Sequence, residues 1–218
     1  MNLLETPLFR GINPAELSAL LRETGAAERK FHKGWVILSQ GDPADRLGLV
    51  CEGRVLLERT DVWGGNSVLG SAGPGEVFAA AYACVPETQL LSSVTAAEET
   101  TALLLRVAPL YEARSLSGAQ ALLLRNLLEL CARQSQQLSR RIMHTAPKTI
   151  RGRLTSYLSE CARRAGSPVF TIPYNRQQLA DYLEVDRSCL CTELTRMRQD
   201  GLLQCERNRF RLFMTENG

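Results

Sequence analysis

No apolar run in this 218-residue chain approaches the roughly 20 residues that a membrane-spanning helix needs; runs such as Ala102 to Leu105 and Ala121 to Leu124 are typical. The opening Met1-Asn2-Leu3-Leu4-Glu5 has no basic start followed by an apolar stretch, so no secretory signal is expected. Histidine is nearly missing. His32 and His144 are the only two and lie far apart, so they form no ligand pair and leave little acid–base chemistry near neutral pH. No P-loop, Ser/His/Asp set or metal-ligand cluster is legible, and the reading is that the chain is not an enzyme. The seven cysteines (Cys51, Cys84, Cys131, Cys161, Cys189, Cys191 and Cys205) contain no CxxC pair. Without a secretion signal they read as free thiols of a reducing cytoplasm. What remains is an ordinary globular composition, 44% hydrophobic and 22% charged. It excludes a disordered, collagen-like or purely coiled-coil chain and fits one large domain or two small ones.

The formal net charge of +3 divides unevenly. Residues 1–146 carry 14 Lys/Arg against 15 Asp/Glu, a net of −1; residues 147–218 carry 12 against 8, a net of +4. In that last third every cation except Lys148 is arginine. Arginine's planar fork matches phosphates and guanine edges. A solvated basic surface would give the same count.

Residues 6–24 read as a short helix, with Asn13 as cap, Pro14 at the first helical position, and Leu17, Leu20 and Leu21 as its apolar stripe. From about Ala27 to Val107, short apolar runs alternate with glycines. Candidate strands cover 35–39, 46–51, 54–61, 66–71, 90–96 and 101–107, a spacing that suggests an antiparallel sandwich or barrel. Trp63-Gly64-Gly65-Asn66 reads as a hairpin tip. From about Gly118 to His144 the period becomes helical. Leu124, Leu127, Cys131, Ser135, Leu138 and Ile142 are spaced as a heptad seam. With Leu123, Leu130 and Gln137 on another flank, this helix is expected to pack both on its own barrel and on a second copy of the chain. Thr145-Ala146-Pro147 breaks it, and a helix from about Pro147 to Ala165 follows. The expected organisation is a barrel over 1–117, a dimerisation helix over 118–145 and a DNA-reading domain over 146–218.

Residues 175–201 carry the strongest motif. Asn175 and Gln178 form a capping-box pair ahead of a short helix. Leu183-Glu184-Val185 makes a tight turn, and Asp186 caps a second helix over 187–199 that Asp200-Gly201 ends. Two short helices joined this way are a helix-turn-helix. Leu190, Leu194 and Met197 lie on one face of the second helix; Arg187, Ser188, Cys191, Thr192 and Thr195 lie on the other. Arg187 is the best base reader, because arginine bonds O6 and N7 of guanine together, while Ser188 and Thr192 can bond bases or phosphates. Residues 202–205 and 209–213 read as strands about Glu206-Arg207-Asn208, a wing that sets Arg207 and Arg209 near phosphate. A packing-only helical hairpin with surface arginines is the bland alternative.

Over residues 5–214 the chain resembles the CRP/FNR-type transcription regulators. The resemblance runs through Pro7-Leu8-Phe9, Lys33-Gly34-Trp35-Val36-Ile37-Leu38 into Gln40-Gly41-Asp42, and Gly48-Leu49-Val50-Cys51-Glu52-Gly53-Arg54-Val55. It continues through Gly73-Pro74-Gly75-Glu76-Val77-Phe78, Asn175-Arg176-Gln177-Gln178-Leu179-Ala180-Asp181-Tyr182-Leu183 and Val185-Asp186-Arg187-Ser188. It implies an α+β chain with an N-terminal antiparallel jelly-roll β-barrel, a long dimerisation helix and a C-terminal winged helix-turn-helix. It also implies a homodimer on a two-fold symmetric double-stranded DNA operator, with RNA polymerase as a candidate partner. The DNA-contacting set then comprises Asn175, Arg176, Gln177, Asp186, Arg187, Ser188, Cys191, Thr192, Thr195, Arg207 and Arg209. The effector pocket comprises Gly75, Glu76, Val77, Phe78, Ala80, Tyr82, Cys84, Leu90, Leu91 and Ser92.

The chain departs from the family's cyclic-nucleotide pattern. After Phe78 the expected Gly-Glu is Ala79-Ala80, and the expected Arg-Ser falls at Leu90-Leu91 or Leu91-Ser92. A buried phosphate with no facing cation is an uncompensated charge, so cyclic AMP is not the expected effector. Residues 77–94 are apolar and rich in small side chains, which makes a small apolar effector or haem the candidates, against a barrel that is simply packed. The closely spaced N-terminal cysteines of iron–sulfur relatives are missing, so no cluster is expected. Cys84 is a candidate haem ligand or oxidant sensor, though a small buried hydrophobe is the commoner role. Cys189 and Cys191, two apart on a helix, face different sides and make no metal site. The family's recognition-helix Glu and Arg fall at Ser188 and Thr192, so a different operator is expected. The competing reading is a ligand-, haem- or redox-sensing module whose C-terminal domain contacts protein rather than DNA.

Overall fold

The computed structural model describes residues 1–61, 63, 65–85 and 87–213. Gly64 of the expected hairpin tip, Pro86 of the segment 77–94, and residues 214–218 lie outside the described residues. The chain divides into two compact units, Met1–Arg133 and Gln134–Gly218.

The first unit opens with a 3-10 turn, Leu3–Glu5, and helix α1, Pro14–Glu23. Strands β1 (Ala27–Phe31), β2 (Val36–Leu38), β3 (Arg46–Glu52), β4 (Val55–Thr60), β5 (Asn66–Ala72) and β6 (Val77–Phe78) follow. A single helical turn α2 (Ala80–Ala83), β7 (Ser93–Ala96), β8 (Thr100–Arg106) and a short α3 (Ala108–Glu112) lead to α4, Gly118–Thr145. Helix α1 is shorter than the sequence suggests because Asn13 caps it, its side chain accepting from the Ala15 N–H. The preceding residues form turns rather than helix. Strands β1 and β6 escape the sequence reading: Ala-Glu-Arg-Lys-Phe has a charged middle, and Val77–Phe78 has only two residues.

Two four-stranded antiparallel sheets, ordered β1-β8-β3-β6 and β2-β7-β4-β5, make the barrel. Between them lie Val50, Val55, Ala72, Phe78, Val94, Ala102 and Leu104. Strand neighbours alternate faces, so Leu47, Leu49, Leu103 and Leu105 emerge on the outer side of β3 and β8. There they join Leu8, Phe9, Ile12, Leu20 and the Ala119, Leu123 and Leu127 side of α4 in a second core. Gly48 pairs with Phe78 in register, and the phenyl ring lies directly over the glycine Cα, where a Cβ would fall inside it.

The second unit holds the rest of α4, then α5 (Ile150–Ala165), β9 (Val169–Thr171), α6 (Arg176–Leu183), α7 (Arg187–Gln199), β10 (Leu203–Glu206) and β11 (Arg209–Leu212). Helix α5 starts at Ile150 rather than Pro147, because the Thr149 side chain accepts from the Gly152 N–H and sets the first turn there. The strands form a sheet ordered β10-β11-β9. Leu154, Leu158, Phe170, Leu179, Leu183, Leu190, Leu194 and Phe210 are among the residues of its single core. His144 is buried at the end of α4 and shares a 2.9 Å hydrogen bond with the Tyr182 hydroxyl.

Gly48→Ala is expected to destabilise the barrel by about 1–3 kcal/mol, the cost of forcing a methyl group into a filled core. Urea unfolding followed on the barrel unit measures it, and an unchanged midpoint contradicts the Gly48–Phe78 packing.

Candidate nucleic-acid interface

The capping box on α6 is complete: the Asn175 side chain accepts from the Gln178 N–H and the Gln178 side chain accepts from the Asn175 N–H, both at 2.9 Å. Helix α6 ends at Glu184, whose φ of 55° turns the chain sharply. Arg153 of α5 stabilises this turn. Its Nη1 donates to the carbonyls of Leu183 at 2.8 Å and Glu184 at 2.9 Å, and its Nε donates to Pro147 at 2.9 Å. Asp186 then starts α7, accepting from the Ser188 N–H at 2.7 Å and the Cys189 N–H at 3.0 Å. The Ser188 hydroxyl also donates to it, and these donors hold the Asp186 carboxyl below the usual carboxylate range.

Leu190, Leu194 and Met197 are buried beneath α7. Arg187, Ser188, Thr192 and Thr195 are exposed and Cys191 is half-buried. The hydroxyls already have acceptors: Ser188 bonds Asp186, Thr192 donates to the Ser188 carbonyl at 3.0 Å, and Thr195 donates to the Cys191 carbonyl at 3.1 Å. With their protons so engaged, the hydroxyls of Ser188, Thr192 and Thr195 are left as hydrogen-bond acceptors on the helix that carries Arg187.

The basic residues sort into two groups. Arg151 bridges α5 to the middle and the C-terminal end of α7, to Glu193 at 2.6 Å and Asp200 at 2.7 Å, and Arg153 is the turn clamp. Arg176 is turned onto the wing, with its Nη2 donating to the Cys205 sulfur at 3.4 Å and its guanidinium 5.2 Å from the Phe210 ring centre. Gln177 donates to Asp181. Arg187, Arg207, Arg209 and Arg211 are exposed. Among the described residues no carboxylate pairs with any of these four. Arg207 sits at the wing tip with a φ of 49°. Arg187, Arg207 and the start of α6 surround an open cleft of about 670 Å³. Thus Asn175 and Asp186 shape helix starts, while Asn175, Arg176 and Gln177 line the same cleft as Arg187 and Arg207. Sequence reasoning missed Arg153 and Arg211. Alternation along β11 puts Arg209 and Arg211 on one face and was the available signal for the second.

The expected effector segment is divided between the two barrel cores. Phe78 points between the sheets, whereas Val77 and Ala80 join the outer core, with Cys84 half-buried against it. The Glu76 carboxylate closes its own loop by accepting from the Gly73 N–H at 2.8 Å. Gly75 has a φ of 82° and donates to the Val50 carbonyl. Tyr82 is half-buried, and Leu90 and Ser92 are buried. Leu91 is 70% exposed.

On α4, Leu127 is only 2% exposed because it faces the barrel's own outer core, with Leu124 and Cys131 half-buried against the same core. Leu127 therefore has no surface to offer a partner. Its neighbour Leu128, 70% exposed, continues the outward line of Leu138 at 63% and Ile142 at 66%, with Ser135 exposed between them.

Residues 28–115 match the cyclic nucleotide-binding domain family, and residues 152–215 match the Crp-like helix-turn-helix domain family. The chain is 28% identical over 200 residues to the cyclic AMP receptor protein of Thermus thermophilus, covering 91% of this chain and 88% of that one. It is 26% identical over 219 residues to the probable transcriptional regulator flp of Lacticaseibacillus casei, covering 97% and 93%. The crystal structure of the Thermus thermophilus catabolite activator protein superposes with a TM-score of 0.50 at 25% identity, covering 95% of this chain and 94% of that one. No helix among the described residues is long and apolar enough to cross a membrane. A barrel of cyclic-nucleotide-binding type and a Crp-like helix-turn-helix, in that order along one chain, place this protein in the CRP/FNR family of transcription regulators.

Proposed function

We propose that the protein is a homodimeric, cytoplasmic regulator that reads a two-fold symmetric operator through α7 and whose barrel responds to something other than cyclic AMP. The observation that carries DNA reading is the outward face of α7. An arginine at its N-terminal end, unpaired among the described residues, shares its face with three hydroxyl acceptors, and Arg207 of the wing borders the same cleft. A recognition helix presents its N-terminal residues to base edges in the major groove. In this reading Arg187 donates to guanine, Ser188 and Thr192 accept from base amino groups, and Arg207, Arg209 and Arg211 contact phosphate.

Dimerisation is supported by the exposed line on α4. Leu128, Ser135 and Ile142 are seven residues apart, with Leu138 between the last two. This is the a/d spacing of a coiled-coil seam. Large apolar groups left in water along one helix face favour burial against an identical face.

Exclusion of cyclic AMP is supported by what fills the barrel. A cluster of apolar side chains packs between the sheets, and residues 77–94 contain no Lys or Arg. The segment 75–92 is then the effector-responsive part, suited to a small apolar ligand.

Arg187→Ala is expected to weaken operator binding by about 1–3 kcal/mol per half-site and to relax specificity at one base pair. Footprinting against a selected operator measures it, and unchanged protection removes Arg187 as a reader. Wild-type affinity should fall steeply with salt, since each phosphate contact adds about −0.9 to the logarithmic slope. A flat profile would favour a protein-contacting C-terminal domain.

Leu138→Asp is expected to convert a dimer to a monomer in sedimentation at micromolar concentrations. Leu127→Ala should instead cost about 2–5 kcal/mol of barrel stability with the mass unchanged. The reverse pattern would return Leu127 to the seam.

Calorimetric titration with cyclic AMP is expected to show no saturable binding in the micromolar range. Saturation there overturns this part of the reading.

A further inference from the structure

Apart from the cleft that Arg187 and Arg207 border, the C-terminal unit holds a cavity of about 370 Å³. Its walls come from the end of α4, from α5, from β9 and from α6. The floor is a cluster of rings. Tyr174 stacks on Tyr182 with 5.1 Å between ring centres, Tyr157 lies 5.4 Å from Tyr182, and His144 meets Tyr157 edge-on at 5.4 Å. His144 and Tyr157 are buried, and Phe170 and Pro173 extend the apolar lining. Burial pushes the hydroxyls of Tyr174 and Tyr182 up, so both stay protonated near neutral pH.

The charges around this floor are unevenly matched. Glu160 of α5 is the carboxylate of the lining, and three groups share it. His144 Nε2 lies 3.3 Å away, and Arg140 and Arg163 are each at 3.6 Å. The two arginine distances are longer than a hydrogen bond. Arg164 lines the same cavity, and among the described residues no carboxylate pairs with it. Arg140 and Arg164 set against Glu160 leave one positive charge in excess beside an aromatic floor.

We infer that this cavity is a binding site for a small aromatic carboxylate, with the ring against the tyrosines and the carboxylate on Arg164 and Arg140. Ligand sites of this size combine a mostly apolar and aromatic lining with a few convergent polar groups. Aromatic rings add offset-stacked or edge-on contacts that a saturated ring cannot make. The planar fork of arginine takes a carboxylate through two parallel hydrogen bonds. An ammonium ligand would meet two arginines, and an uncharged ring would leave Arg164 unanswered. Tyr182 belongs to α6 and Tyr174 directly precedes its cap Asn175. A bound acid therefore bears on the first helix of the helix-turn-helix, at a site separate from the barrel and from the outward face of α7.

The test is calorimetric titration of the full-length wild-type protein, without DNA, with benzoate, 4-hydroxybenzoate and indole-3-acetate. At least one is expected to bind saturably, one molecule per chain, below roughly 1 mM. Cyclohexanecarboxylate and benzylamine should each bind about tenfold more weakly or not at all. Arg164→Ala, at an exposed position, should lose about tenfold in affinity for the aromatic acid with its unfolding temperature unchanged. Tyr174→Leu should erase the preference for the aromatic acid over cyclohexanecarboxylate. Arg187→Ala should bind the acid as the wild type does, so a failure of the DNA-reading proposal leaves this result untouched. Absence of saturable binding by all three acids, equal affinity in Arg164→Ala, or chemical-shift changes confined to the barrel unit would overturn the assignment.

Discussion

Two strands buried on both faces organise the N-terminal unit. In β3 and β8, Gly48, Val50, Ala102 and Leu104 face the space between the sheets, while Leu47, Leu49, Leu103 and Leu105 face the outer core and α4. Fully burying each aliphatic side chain contributes about 1.5–3 kcal/mol. The larger consequence is register. A slip of one residue would put a leucine beneath the Phe78 ring, where not even a methyl group fits. The pairing of β3 with β6 and β8 is thereby set. The outer face that receives Leu123 and Leu127 of α4 is set with it, and so is the choice of which α4 residues are left facing water.

A comparable constraint acts within the C-terminal unit, through arginine instead of leucine. Arg153 gathers three carbonyls around the turn between α6 and α7, and Arg151 ties α5 to Glu193 and Asp200. Hydrogen bonds from a charged donor are about twice as strong as neutral ones. Together with the Asp186 cap they determine how α7 presents Arg187. Net charge counts these arginines alike, although some shape the domain and others remain free to meet a polyanion. The excess of +4 in residues 147–218 was therefore a sound pointer to partner chemistry and a poor guide to which residues make the contacts.

The local signals that sequence reasoning read well were those whose chemistry is local. Asn175 with Gln178, Asp186 and the Asp200-Gly201 stop act on backbone groups within a few residues, so their roles follow from spacing alone. Leu127 and Leu128 show the opposite case. Both lie three or four residues from other apolar positions on α4, and only the presence of the barrel core on one side decides that Leu127 is buried and Leu128 is not. Strand β1 was hidden for a related reason: its Glu28, Arg29 and Lys30 are exposed at the edge of a sheet whose partner strand supplies the apolar contacts. Arg153 was hidden because its acceptors are carbonyls, which every residue has.

The loop from Gly73 to Ala79 carries two left-handed backbone positions, at Gly75 and Ala79. Ala79 has a φ of 55°. For a non-glycine residue this conformation costs roughly 1–2 kcal/mol, so the loop has a shape that alanine alone would not select. Gly75 has a positive φ and Glu76 closes the loop from within.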